Sequence, residues 1–325
     1  MTHSNPHTGP SQSDITLQIE RLVLSIERHD TPAFRFDVTR SGPERTYLSR
    51  YFKYIRQMVN LFQDDYLYQC SEQLRAFWTA CQDIGLETGI DGPVCWSKSA
   101  SAYLCHRRSM NVLVERIREL TGEQWYRRAK GDRRQQAKEN GIRVCDYADT
   151  LISRYSRTLI IRVNLYYYET VQLRLRVERV FEDLDRLVGE HERNPIFNHL
   201  LGYICAVEQG DDRGYHIHAA YFLNGNEVCR DIYKAQQIGD LWVRITQGQG
   251  YFDSCNHDKE EKYGKKEQEQ DTEEKQRELG IGMIFRNNHQ IRPHVHYAMR
   301  YLVKDAQRIR LKPMRARCLR MGMLR

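Results

Sequence analysis

No stretch of this 325-residue chain approaches 18 consecutive apolar residues, which excludes an ordinary membrane-spanning helix. The first fourteen residues, MTHSNPHTGPSQSD, lack the basic-then-apolar order of a secretory signal and read as a disordered leader. No CxxC occurs among the nine cysteines, and their odd number argues against a complete disulfide framework. They read as reduced thiols of a cytoplasmic protein, mostly small core residues. No GxxxxGK[ST] is present, which excludes a fused P-loop helicase. Acids are scarce at one end: residues 281–325 hold eleven Lys or Arg against the single Asp305. That segment carries +10 of a net +7, so the other residues sum to −3. Such a block suits a polyanion, most simply nucleic acid, or else a solvated basic tail.

With 40% hydrophobic and 29% charged residues, the chain can bury a sizeable core. Residues 15–156 read as helical. Leu48, Tyr51, Phe52, Ile55, Met58, Val59 and Phe62 recur at spacings of three and four, an amphipathic stripe. Similar patterns run through YLYQCSEQLRAFWTAC, AYLCHRRSMNVLVERIREL and IRVCDYADTLISRY, with the loop GLETGIDGP between. Near residue 157 the period changes. TLIIRVNLYYY alternates and reads as a strand; TVQLRLRVERVFEDLDRLVGEHE reads as a long helix. HLLGYICAVEQ and GYHIHAAYFLNG read as strands around GDDRG, NEVCRDIYKAQQIG as a helix, and DLWVRIT as a strand. The order β-α-β-β-α-β predicts an α+β domain: a split-βαβ, RRM-like antiparallel sheet with helices on one face. The expected layout is a leader over 1–14, a helical region over 15–156, the sheet domain over 157–307 and a basic tail over 308–325. Residues 257–280 hold nine acids and six bases and read as a charged insertion. IGMIF is then a short strand, and PHVHYAMRYLVKDAQ a helix that Pro293 starts.

Two constellations carry chemistry. His216-Ile217-His218 puts two imidazoles on one face of a strand, since residues two apart share a face. If the hairpin pairs residue 208 with 216, Glu208 joins them, and a His-His-carboxylate set suits a catalytic divalent ion. Two histidines packed on a half-buried strand is the plainer alternative. Tyr297, Tyr301 and Lys304 are spaced by four and three, one face of a helix, with a cation near a tyrosine oxygen. Aromatic packing at that spacing is the plainer alternative there. A second pair, His294-Val295-His296, reads as phosphate contact or local packing and can compete for metal. Cys255-Asn256-His257 lacks the partners of a zinc site.

A strand with Glu and HIH, followed about 80 residues later by a helix with YxxxYxxK, resembles the HUH endonucleases, in particular their replication-initiator branch. The run LIIRVNLYYY … YICAVEQGDDRGYHIHAAYFLNG … YAMRYLVKD also resembles the YagK/YfjJ C-terminal family of prophage and inovirus-like initiators. The resemblance covers roughly residues 157–307 and leaves the N-terminal half without support of its own. It implies metal-dependent nicking and strand transfer on single-stranded DNA at a replication origin. Mn²⁺ or Mg²⁺ would be held by His216, His218 and Glu208. Tyr301 would be the first nucleophile, forming a 5′-phosphotyrosine, Tyr297 the second, and Lys304 their electrostatic support. A transposase of the same class shares that chemistry, and a host helicase is a further partner consistent with it. A non-catalytic nucleic-acid-binding module is the alternative from another class. For DNA contact the sequence offers Arg162, Asn164 and Tyr166 on one face of the first strand, Arg213 at the hairpin tip, and Arg308, Arg310, Arg315, Arg317 and Arg320 in the tail.

Overall fold

A computed structural model describes residues 9–36, 42–62, 67–97, 99, 102–257, 280–304 and 308–324. Most of the charged segment 257–280 therefore lies outside the described residues, as do residues 1–8 of the leader and 305–307 at the end of the predicted tyrosine helix. The chain forms two compact units: residues 1–133 with 310–315, and residues 134–309 with 316–325. No described helix is long and apolar enough to cross a membrane.

The first unit is mainly helical. Helix α1 (Gln12–Arg28) begins inside the stretch expected to be leader. The reason is a reciprocal cap: the Asp14 amide donates to Ser11 Oγ, and the Ser11 amide donates to Asp14 Oδ2. Ile15, Ile19, Leu22, Val23 and Ile26 then bury one face. The stripe from Leu48 to Phe62 forms a 3₁₀ stretch, Tyr47–Tyr54, followed by α2 (Ile55–Asn60). Tyr68–Cys70, expected within a helix, is extended instead and pairs with Leu311–Pro313. Ser71 caps the helix that follows, α3 (Glu72–Asp83). Helix α4 (His106–Gly122) follows, and α5 (Gln124–Arg154) runs on into the second unit.

The second unit is built on six antiparallel strands: β4 (Arg157–Tyr167), β5 (Leu200–Gly210), β6 (Gly214–Asn224), β7 (Gly250–Ser254), β8 (Gly282–Phe285) and β10 (Leu319–Met321), where β1–β3 denote 34–35, 44–45 and 68–70, and β9 denotes 311–313. Their order is β10-β5-β6-β4-β7, with β8 sharing the β7 edge of β4. Where β7 has ended and β8 has not begun, the buried Asn256 side chain takes over the ladder: it accepts from the Arg162 amide (2.8 Å) and donates to the Ile160 carbonyl (3.0 Å). This is what Cys255-Asn256-His257 does. The segment expected to be a tail supplies β10, which closes the β5 edge.

Three sequence expectations need correction. The long helix after β4 is two pieces, α6 (Glu169–Gln172) and α7 (Val177–Gly189). DLWVRIT is not a strand: it lies in α8 (Asp231–Ile245), because Ala235, Ile238, Leu241 and Trp242 form one buried helical stripe. A short apolar run reads either way by periodicity, and the real strand is Gly250–Ser254. Helices also cover both faces, not one. α7 and α8 pack on the face of Leu165 and Tyr167, with the Trp242 indole donating to the Tyr166 carbonyl and the Tyr167 hydroxyl donating to Asp183. On the other face Ile160, Ile204, Ala220 and Phe222 pack against Val144, Tyr147, Ala148 and Leu151 of α5 and against Val295, Ala298 and Met299 of α9 (Arg292–Arg300). Gly202 permits this approach, since a Cβ there would lie 2.3 Å from the Tyr147 hydroxyl. No disulfide joins the nine cysteines, but only Cys81, Cys95, Cys145 and Cys205 are buried.

His191 is enclosed by Phe197, Tyr203 and Tyr221, with ring centroids 4.6, 4.3 and 5.4 Å away. Both ring nitrogens are buried without a hydrogen-bond partner, and burial lowers its pKa to about 4. The unfolded chain takes up a proton at this histidine below about pH 6.5, whereas the folded chain does so only near pH 4. Stability from this source is therefore present above pH 6.5 and is lost as pH falls towards 4. We expect His191→Phe to remove an acid sensitivity on the order of 2 kcal/mol, read as the difference between urea midpoints at pH 7 and pH 4.5.

Candidate metal centre

The two-residue period of β4, β5 and β6 places one set of side chains on the face that α5 and α9 cover at one end. At that end the set is apolar. At the other end it is polar: Asn164 and Tyr166 from β4, Glu208 from β5, His216 and His218 from β6. The β5–β6 register pairs Glu208 with His216 and Ala206 with His218, so the carboxylate lies between the two imidazoles. The hairpin turn between Gly210 and Gly214 sets this register, with Gly214 at φ +55.

Ligand atoms of Glu208, His216 and His218 all lie within 4.8 Å of one another. Glu208 Oε2 is 3.1 Å from His218 Nε2 and 3.8 Å from His216 Nε2. All three residues are no more than 3% exposed. Both Nδ1 atoms face acceptors: His216 Nδ1–H donates to the Gly214 carbonyl (3.0 Å), and His218 Nδ1–H donates to Asn164 Oδ1. In the neutral rings this leaves both Nε2 lone pairs turned to the carboxylate, the arrangement a metal ligand needs. Burial drives His216 down to about 4, helped by the neighbouring His218, and so keeps it neutral. Burial also raises Glu208 to about 9, against a smaller opposing pull from Arg162 and Lys304. Neither Glu208 oxygen accepts a hydrogen bond. A carboxyl set between two nitrogen lone pairs in this way is a donor set that could hold a divalent cation.

Asn164, expected as a DNA contact, is half-buried, with its oxygen taken by His218 and its amide pointing to Cys255 Sγ (3.6 Å). It orients a ligand. We expect Asn164→Ala to weaken Mn²⁺ binding by about 10- to 100-fold without changing the ligand set, as titration calorimetry would read.

Tyr301 sits beside the triad. Its ring is 5.7 Å from that of His218, edge-on. Two cations lie over it: Lys304 Nζ 3.5 Å and Arg162 Cζ 4.4 Å from the ring centroid. Arg162 Nε is buried and has no hydrogen-bond partner. Helix α9 ends at Arg300, so Tyr297, Tyr301 and Lys304 do not share one α-helical face. Tyr301–Val303 is a 3₁₀ turn, and Lys304 is extended. The tighter turn, with three residues per revolution, stacks residue 304 over 301 instead. Tyr297 is 69% exposed. Of the second histidine pair, His296 Nε2 donates to Asp149 Oδ2 (2.7 Å), and the Oδ1 of the same carboxylate accepts from Arg292 (2.9 Å). Among the described residues these histidines form no ligand cluster.

The remaining expected DNA contacts divide. Arg213 is half-exposed, pairs with Asp253 (3.0 Å) and lies 4.5 Å from the Tyr166 ring centroid. Arg308 is half-buried. Arg310 is a correction: it is 6% exposed and donates to Glu20 at 2.8 Å, so it braces α1 and cannot meet a phosphate. Arg320 pairs with Asp185, and among the described tail arginines Arg315 and Arg317 are exposed. Sequence reading missed Tyr168 and Tyr251, whose rings extend the row begun by Tyr166. The signal available was the YYY run at the end of β4. No protein-family model matches the chain, and neither a curated protein nor a solved structure matches it.

Proposed function

We propose that the protein is a metal-dependent, HUH-type nickase and strand transferase acting on single-stranded DNA, and that it initiates rolling-circle replication of a phage-like or plasmid-like element. The observation that carries this reading is the juxtaposition of a buried Glu-His-His set with a tyrosine under two cations. The strand order β5-β6-β4-β7, within the sequence β-α-α-β-β-α-β, supports a split-βαβ domain of the kind that resemblance implies.

His216 Nε2, His218 Nε2 and the Glu208 carboxylate would hold Mn²⁺ or Mg²⁺, which supplies Lewis acidity at a phosphate oxygen. Tyr301 Oη attacks the phosphorus, its proton leaving to solvent. The bond from phosphorus to the 3′ oxygen breaks, giving a 5′-phosphotyrosine and a free 3′-OH. Lys304 and Arg162 lower the cost of negative charge on the phenolate and on the pentavalent phosphorus. The phosphotyrosine keeps the bond energy, so a second nucleophile can rejoin the strand without ATP. Tyr297, one turn before, is the candidate for that second attack. The test is incubation of the full chain and Mn²⁺ with pooled single-stranded DNA, including the element's own intergenic region. A metal-dependent adduct that survives a denaturing gel is expected. DNA binding with no adduct on any strand favours the non-catalytic module.

A further inference from the structure

Four rings run outward from the metal centre. Tyr166 lies 5.5 Å from His216, ring to ring. Tyr251, opposite Tyr166 in the β4–β7 register, stacks on it at 5.2 Å and 27°. Tyr168 stacks on Tyr251 at 5.2 Å and 30°. Exposure rises along the row, from Tyr166, which is buried, through Tyr251, which is half-buried, to Tyr168 at 49%. The outer ring is not on a loose loop. The Tyr168 amide donates to the Gln249 carbonyl (3.1 Å), and its own carbonyl accepts from the amides of Val171 and Gln172. A large aromatic ring on an anchored backbone, half in water and stacked on a half-buried neighbour, is a ready platform for another flat ring.

We propose that Tyr166, Tyr251 and Tyr168 form a base-stacking subsite that holds a nucleotide of the single strand flanking the scissile phosphate. The proposal deepens the nickase reading and rests on it for where the strand runs. The row is continuous with the metal centre through His216, so a base on its outer end belongs to the same strand whose phosphate meets Tyr301. Nucleobases all present a π-face, so stacking here is tolerant of sequence, and duplex DNA, whose bases are already stacked, cannot use it. The half-exposed Arg213 beside Tyr166 places a guanidinium at the inner end of the row, where the backbone would pass.

The test is fluorescence anisotropy of labelled oligo-dT with the full chain in EDTA, which separates binding from chemistry. Tyr168→Leu and Tyr251→Leu should each weaken binding by about 5- to 100-fold, and Tyr168→Phe should keep it within about twofold. The salt dependence should stay parallel to that of the wild type, since no phosphate contact is removed. As a check free of folding loss, Tyr168→Trp should bind at least as well as the wild type, with its indole fluorescence quenched by DNA. Leu variants that bind within twofold of the wild type, or equal binding of duplex and single strand, overturn the proposal. So does a proline-rich peptide that displaces the DNA while binding more tightly. The two readings fail separately. Weakened binding by Tyr168→Leu with no adduct in the wild type leaves the subsite standing and the nickase fallen. An adduct formed equally by wild type and Tyr168→Leu, at equal affinity, does the reverse.

Discussion

Tyr301→Phe is expected to abolish the covalent adduct, by at least about 10³-fold, while single-stranded DNA binding in EDTA stays within about twofold. The substitution removes one oxygen and keeps the ring. The ring's place beside His218, and under Lys304 and Arg162, therefore survives, and only the nucleophile is lost. Tyr297→Phe should leave the first adduct nearly intact. Its ring is largely in water. It should instead slow release of the first strand in a strand-transfer assay with a second oligonucleotide. Equal losses for the two variants would put both tyrosines at the first step. A larger loss for Tyr297→Phe would invert the assignment and leave the cations around Tyr301 without a catalytic role.

The candidate metal ligands were legible because strands have a period of two and a short turn fixes their register. Once GDDRG is a turn, the parity of 208, 216 and 218 decides which side chains meet. What supports those ligands was not legible. Asn164 lies on a different strand, and no spacing links it to His218; only the pairing of β4 with β6 does. Tyr251 was missed for a related reason. Assigning DLWVRIT to a strand used up the last β position and left Gly250–Ser254 unassigned. Arg310 looked like a tail charge because its partner, Glu20, is 290 positions away. The helix at Ser11 was misread despite a local signal: Ser-x-x-Asp is a capping pair, and here it outweighs the polar composition before it.

The metal centre makes a prediction in which acid and ion oppose each other. Burial raises the Glu208 carboxyl to about 9, so the metal-free folded protein holds a proton there at neutral pH that the unfolded chain releases near pH 4.5. Stability from this source is present below pH 4.5 and is lost as pH rises through 9. His216, lowered to about 4, acts the other way, but only between pH 4 and 6.5. The window from 6.5 to about 8, below the range where the buried thiols of Cys81, Cys95, Cys145 and Cys205 add their own loss, therefore isolates Glu208. There the metal-free wild type should lose stability with a slope approaching about 1.4 kcal/mol per pH unit, and Glu208→Gln should be nearly flat. Mn²⁺ should reverse the order. Ion binding needs the carboxylate, so at 100 times its Kd the wild type gains about 2.7 kcal/mol, or several degrees in Tm. Glu208→Gln and the double variant His216→Ala/His218→Ala should gain almost nothing. The same substitution thus stabilises the protein at about pH 8 without metal and forfeits the gain with it. A general packing defect would lower both values, so this change of sign separates a carboxyl built to meet a cation from one that only fills the sheet.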